Sequence, residues 1–252
     1  MAVIHHTTLA PGKLELLTSW LPAQPWYEGN GRPELTKAGG FRLDDPQGEV
    51  GMEFMVVTDV SGETPVSYQV PLTYRGAPLE GADHALVGTM EHGVLGRRWA
   101  YDGTHDPVLV AQLHALFQGD IEAQDQNVSD TPDPSVTVNF TGAAAPGPIR
   151  LTAVAEAPHA TDIVLGTLTA DGAAGGPVAG AVAAAVAAAV AGAVDGAVDG
   201  GRGGRLTMRV TRVLRPGEAD AADALGHLTA GWRLPDGTEV RGVFAVVTGA
   251  PR

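Results

Sequence analysis

Apolar and polar residues alternate along much of this chain with the two-residue period of a β-strand. Before residue 120 they switch to a helical period in two places. Ala2–Thr8 is short, apolar and β-branched, which predicts an opening strand. Pro11-Gly12 punctuates it. Leu14, Leu16, Leu17, Trp20 and Leu21 then recur at helical spacing until Pro22 stops them. Phe41–Leu43 and Glu49–Thr58 read as two arms of a hairpin around Asp45-Pro46-Gln47-Gly48. In Val66–Tyr74, the side chains of Tyr68, Val70, Leu72 and Tyr74 share one side, and Pro71 within the run argues for an edge or a bulge. Ala85–Glu91 and Gly96–Tyr101 predict two more strands. Asp106-Pro107 opens an amphipathic helix through Phe117 that Gly119 caps. The pattern predicts an α+β domain over residues 1–119, with an antiparallel sheet and one or two helices.

Beyond Gly119 the pattern changes. Asp125–Pro134 is polar and turn-rich, while Val136–Phe140 and Ile149–Ala155 are strand-like. Gly172–Gly204 is an Ala/Gly/Val low-complexity stretch in which valine recurs every fourth residue. Alanine favours a helix there, but a four-residue repeat drifts around a 3.6-residue helix and builds no lasting face. The uncharged run from Pro177 to Asp195 has the length of a membrane span. Alanine and glycine gain little in lipid, however, and no basic flank sets a topology, so 172–204 reads as a surface insertion. Arg205–Leu214 alternates basic and apolar residues as a strand. Gly226–Leu234 and Glu239–Val247 form a hairpin around Pro235-Asp236-Gly237. Residues 120–252 thus predict a second, β-rich domain carrying the insertion.

Composition narrows the function classes. A chain of 252 residues with 44% hydrophobic content supports a real core. A net charge of −13 opposes nucleic acid, whose phosphates would be repelled. The absence of cysteine excludes disulfides, thiolate metal sites and cysteine nucleophiles. His5, His6, Lys13 and Glu15 interrupt the first residues, so no secretory signal is expected and the cytoplasm is the expected location.

Candidate chemistry is sparse. Trp26, Tyr27 and Arg32, set among Gly29 and Gly31, would present aromatics and a guanidinium to a sugar or phosphate. The favoured reading is that the same residues seat a helix-to-strand loop, with the glycines supplying positive φ. Arg97, Trp99 and Tyr101 share one face of a strand and suit recognition of a partner protein or a polyol, or plain surface packing. His5 and His6 point to opposite faces of a strand. His84, His92, His105 and His114 match no ligand spacing on one element, so no metal site is expected. Asp44, Asp45, Glu49 and Glu53 lie on or beside a hairpin, where solvated charge is normal. No G-x-S-x-G elbow and no phosphate loop occurs.

The segments WYEGNGR (Trp26–Arg32), YQVPLTYRGAPLEGA (Tyr68–Ala82) and MEHGVLGRRWAYDG (Met90–Gly103) resemble the N-terminal cap of actinobacterial maltokinases. They are more similar still to stand-alone cap-like proteins, sometimes labelled glucan-branching proteins. The likeness covers Met1 to about Gly119. It implies a cystatin-like α+β unit, which in maltokinases precedes a kinase of the aminoglycoside-phosphotransferase type that phosphorylates maltose with ATP. A weaker likeness joins QDQNVSDTPDPSVTVNF (Gln124–Phe140) and RLTMRVTRVLRPG (Arg205–Gly217) to the nucleotide lobe of these kinases. It puts Arg209 at the position of the lysine that holds ATP phosphates, a change of geometry. No H-x-D-x-H-type loop follows, and the chain ends where a catalytic lobe is expected. The resemblance therefore implies a non-catalytic protein without a cofactor, whose partner is an enzyme of trehalose, maltose or α-glucan metabolism. Two other roles fit the same residues: an accessory part of a sugar kinase completed by another chain, or a sugar-binding module using Trp26, Tyr27, Arg32, Arg97, Trp99 and Tyr101.

Overall fold

Two short helices and an extensive antiparallel sheet make an α+β architecture in the computed structural model, which describes residues 7–142, 149–167, 205–217 and 224–249. Most of the expected opening strand, His5-His6 and the 172–204 insertion lie outside the described residues. The chain begins with β1 (Leu9–Ala10), α1 (Lys13–Trp20) and a 3-10 turn at Leu21–Ala23. β2 (Leu35–Leu43), β3 (Gly51–Asp59), β4 (Val66–Arg75), β5 (Leu86–His92) and β6 (Gly96–Asp102) follow, then α2 (Pro107–Gln118). The remainder comprises β7 (Gln124–Asp125), β8 (Thr137–Phe140), β9 (Ile149–Ala157) and β10 (Ala160–Thr167). It ends with β11 (Arg205–Thr211), β12 (Val213–Leu214), β13 (Ala224–Arg233) and β14 (Glu239–Gly249).

The strands pair in the order β1-β5-β6-β4-β3-β2-β13-β14-β11-β10-β9. Residue 119 closes α2; strands from both sides of it meet where β7 pairs with β2 through Asp125 and Phe41, and at two further seams. Trp232 on β13 lies opposite Gly39 on β2. At the second seam Val213 and Leu214 of β12 pair with Tyr68 and Ser67 of β4. Because β12 continues β11 and yet reaches β4, the sheet curls back on itself, and α2 packs into its hollow.

Local chemistry explains α2. The Asp106 carboxylate accepts the Val108 N–H at 2.9 Å as an N-cap, Pro107 occupies the first turn, and Gly119 closes the helix at φ 76°. Leu109, Val110, Leu113, Leu116 and Phe117 then face a core shared with Phe41, Phe54, Met208 and Phe244. A second core, under α1, holds Leu17, Leu21, Trp26, Tyr68, Val70 and Leu72. Met52, Phe54 and Val56 of β3 enter the first core while Met55 and Val57 enter the second. Both faces of β3 are therefore covered, which is why it reads as a continuous apolar run.

Two strand expectations are corrected. Pro71 sits in a central strand, not at an edge. Its neighbour Gln69 donates its N–H to the Arg212 carbonyl at 2.9 Å, and β6 pairs only from Leu72 onward. Proline thus falls in the gap between β12 and β6, where no N–H is required. The strand expected over Arg205–Leu214 breaks at Arg212, whose N–H turns to the His159 carbonyl at 2.7 Å. β10 had no counterpart in the sequence reading.

Candidate functional site

Leu206, Met208 and Val210 turn to one side of β11, the last two fully buried, and Arg212 continues that inward register. A guanidinium thereby enters the interior with no exposed surface. Its Nε donates to Thr161 Oγ1 at 2.7 Å, and Nη2 donates to Asp102 Oδ2 at 2.5 Å and to Thr104 Oγ1 at 3.0 Å. Thr104 in turn donates its amide and hydroxyl to Asp102 Oδ1. The Trp26 ring lies 4.9 Å from the guanidinium carbon. A carboxylate, two hydroxyls and an aromatic face make the buried cation tolerable, while its Nη1 has no hydrogen-bond partner.

Next to this network is a cleft of about 540 Å³ between α2, the edge strand β9 and the loop before β5. His84 and His105 stand on its wall, with His84 Nε2 and His105 Nδ1 3.1 Å apart and the rings nearly perpendicular. Behind His105, its Nε2 is 3.9 Å from Glu156 Oε1. Glu156 Oε2 accepts from the Thr161 hydroxyl at 2.7 Å, which links the cleft to Arg212. Asp102, His105 and Glu156 bring ligand-type atoms within 4.8 Å of one another.

The residues picked out by sequence are distributed differently. Trp26 is 1% exposed and packed against Trp20, Tyr68 and Arg212, so its faces are occupied. Tyr27 bonds to Asp59 Oδ2 at 2.9 Å; burial first, then that carboxylate, raises its hydroxyl pKa. Burial raises the Asp59 carboxyl, but hydrogen bonds from Ser61, Tyr27 and Glu34 outweigh it and hold Asp59 below the usual range. Arg32 is exposed, on a loop that borders two hollows of about 560 and 320 Å³. Tyr101 is buried and accepts the Leu79 N–H, with Trp99 beside it in a separate small cluster. Arg97 is exposed and paired with Glu91 at 2.9 Å. Trp26 and Tyr101 are thus interior packing, not an open aromatic platform. Arg209 forms a bidentate pair with Asp162, its cross-strand neighbour, at 2.7 and 2.8 Å.

Two further expectations change. Neither Gly29 nor Gly31 has positive φ. Gly29 is required instead by close approach, since a Cβ there would lie 2.1 Å from the Tyr27 hydroxyl. The hairpin carboxylates are not all solvated. Asp45 is buried and accepts the amides of Gln47, Glu49 and Val50. Glu53 is buried among Lys13, Tyr74 and Gln126. Burial raises the Glu53 pKa, and the Lys13 and Lys37 cations with the Tyr74 hydroxyl together bring it below the usual range.

Arg212, Asp102, Thr161 and Glu156 were missed as a group. One signal was present: an arginine in the inward register of an otherwise apolar face. The His84–His105 pair had none, because its members stand 21 positions apart on two separate turns.

Residues 20–106 match the family model of the maltokinase N-terminal cap domain. The chain contains a maltokinase-cap-like domain. The match runs from Trp20 to Asp106 and so includes Trp26, Tyr68, Gln69, Asp102, Thr104 and His105. Arg212, Thr161 and Glu156, which complete the buried network, lie outside the cap-like segment. No curated protein matches the chain. Among the described residues no helix is long and apolar enough to cross a membrane.

Proposed function

We propose that this is a non-catalytic cytoplasmic protein that uses its cap-like domain to bind and modulate an enzyme of trehalose, maltose or α-glucan metabolism. The carrying observation is that Trp26 and Asp102 of the cap-like segment close around Arg212 from beyond it. The cap is thereby joined in one sheet with β10–β14, a form suited to presenting a defined surface to a partner. Arg209 supports the same reading. At the position that the weaker resemblance assigns to an ATP-binding lysine, its guanidinium is engaged by Asp162.

The test is titration of the purified chain against a maltokinase, a maltosyltransferase and a trehalose synthase by biolayer interferometry, with enzyme kinetics alongside. Saturable binding to one of them, with a change in its kcat or KM, is expected. ATP-dependent phosphorylation of maltose by the purified chain alone would overturn the proposal. Activity only in a mixture with a separate catalytic lobe would favour an accessory kinase subunit instead.

A further inference from the structure

The imidazoles of His84 and His105 come from two different 3-10 turns, Asp83–Ala85 and Gly103–His105, and bring one nitrogen each within hydrogen-bond distance of the other. Their 3.1 Å separation fits a shared ion. Two nitrogens on a Zn2+ at about 2.0–2.1 Å stand about 3.3 Å apart in a tetrahedron and about 2.9 Å apart at a right angle. Glu156 Oε1, 3.9 Å from His105 Nε2, is beyond hydrogen-bond reach and acts on the ring through its charge. A carboxylate facing His105 Nε2 favours the proton on that nitrogen and leaves Nδ1 as a lone-pair donor toward His84. His84 is exposed and borders the cleft, so an ion there keeps positions open to water or a ligand.

We propose that His84 Nε2 and His105 Nδ1 bind one divalent transition-metal ion such as Zn2+, with Glu156 orienting His105. Binding requires His84 to carry its proton on Nδ1, a tautomer change with no net charge. The alternative set of Asp102, His105 and Glu156 is the poorer one. Both Asp102 oxygens are already engaged by Thr104 and Arg212, and the buried Arg212 cation would repel an ion placed there.

Calorimetric titration of Zn2+ into the full chain is expected to show one bound ion per chain. His84→Ala or His105→Ala is expected to abolish that binding, and Glu156→Gln to weaken it about 10-fold. A variant with both His5 and His6 changed to alanine should retain it. Circular dichroism of each variant separates lost binding from lost folding, and exposed His84 is the safer of the two ligands to remove. Imidazole 15N shifts of the wild-type chain locate the ion without any variant. Coordination shifts at His105 Nδ1 and His84 Nε2 are expected. A shift at His105 Nε2 instead, no heat at millimolar Zn2+, or unchanged binding by the His84→Ala variant would each overturn the proposal.

Discussion

The guanidinium of Arg212 rests 4.9 Å from the centre of the Trp26 ring while its Nη2 bonds to Asp102. Three distant stretches of chain thus meet at one buried charge. In a low-dielectric interior each partner is costly to lose, because the remaining charge has no water to turn to.

Replacement of Arg212 by methionine should therefore destabilise the protein by about 3–5 kcal/mol, since Asp102 is left buried and unpaired. The double variant Arg212→Met, Asp102→Asn should recover most of that loss. Arg212→Lys should rescue poorly, because lysine lacks the planar fork that serves Thr161, Thr104 and Asp102 together. Urea unfolding of the four proteins tests this.

Gly29→Ala should displace Tyr27 from Asp59, since the new Cβ would overlap the hydroxyl. A loss of about 1–3 kcal/mol is expected, as for a hydrogen bond to a charged group. Gly31→Ala meets nothing within 4 Å and should be neutral. Thermal melts of the two alanine variants, with Tyr27→Phe as a reference, would contradict this account if both behaved alike.

Asp106 caps α2 and also holds Arg75 through two bonds of 2.7 Å. Asp106→Ala should cost about 3–5 kcal/mol because Arg75 loses its counter-ion in a largely buried place. Asp106→Asn keeps an N-cap acceptor and should be milder by about 1 kcal/mol. Equal unfolding midpoints for the two variants would show that the cap contributes nothing.

Acid should unfold the protein partly through Asp59 and Glu53. Both have folded pKa values held below their unfolded values of about 3.9 and 4.3. The sign follows from linkage: the stability they contribute is complete above the unfolded values and is lost as pH falls through the folded ones. Denaturant midpoints measured from neutral pH down to about pH 2 should fall most steeply below about pH 4. The Asp59→Asn variant should start lower and show a shallower fall.

Much of the fold was legible because it depends on neighbours in the chain. Asp106-Pro107 and Gly119 set the ends of α2 by local hydrogen bonding and backbone freedom, and the alternation in Val66–Tyr74 set the side that enters the core under α1. Pro71 was read as marking an edge or a bulge, and it lies instead in a central strand, opposite Phe54 of β3. Which strands flank a residue is decided by distant chain, here β12 and β6.

The candidate sites were legible only in fragments. WYEGNGR and RRWAYDG announced a family, and the matched segment 20–106 bears that out. Nothing local showed that Trp26 would be covered by Arg212, some 186 residues away, or that Glu53 would be buried beside Lys13.

By itself, the sequence determined the helix limits, most strand periods, the net acidic charge and the likeness to a maltokinase cap, because each follows from residue type and short-range spacing. The tertiary structure alone decided that Arg212 would seal the cap to the later strands, and that His84 and His105 would face each other. Those outcomes depend on how the sheet curls, and the curl comes from pairing between β4 and β12, which no local pattern encodes.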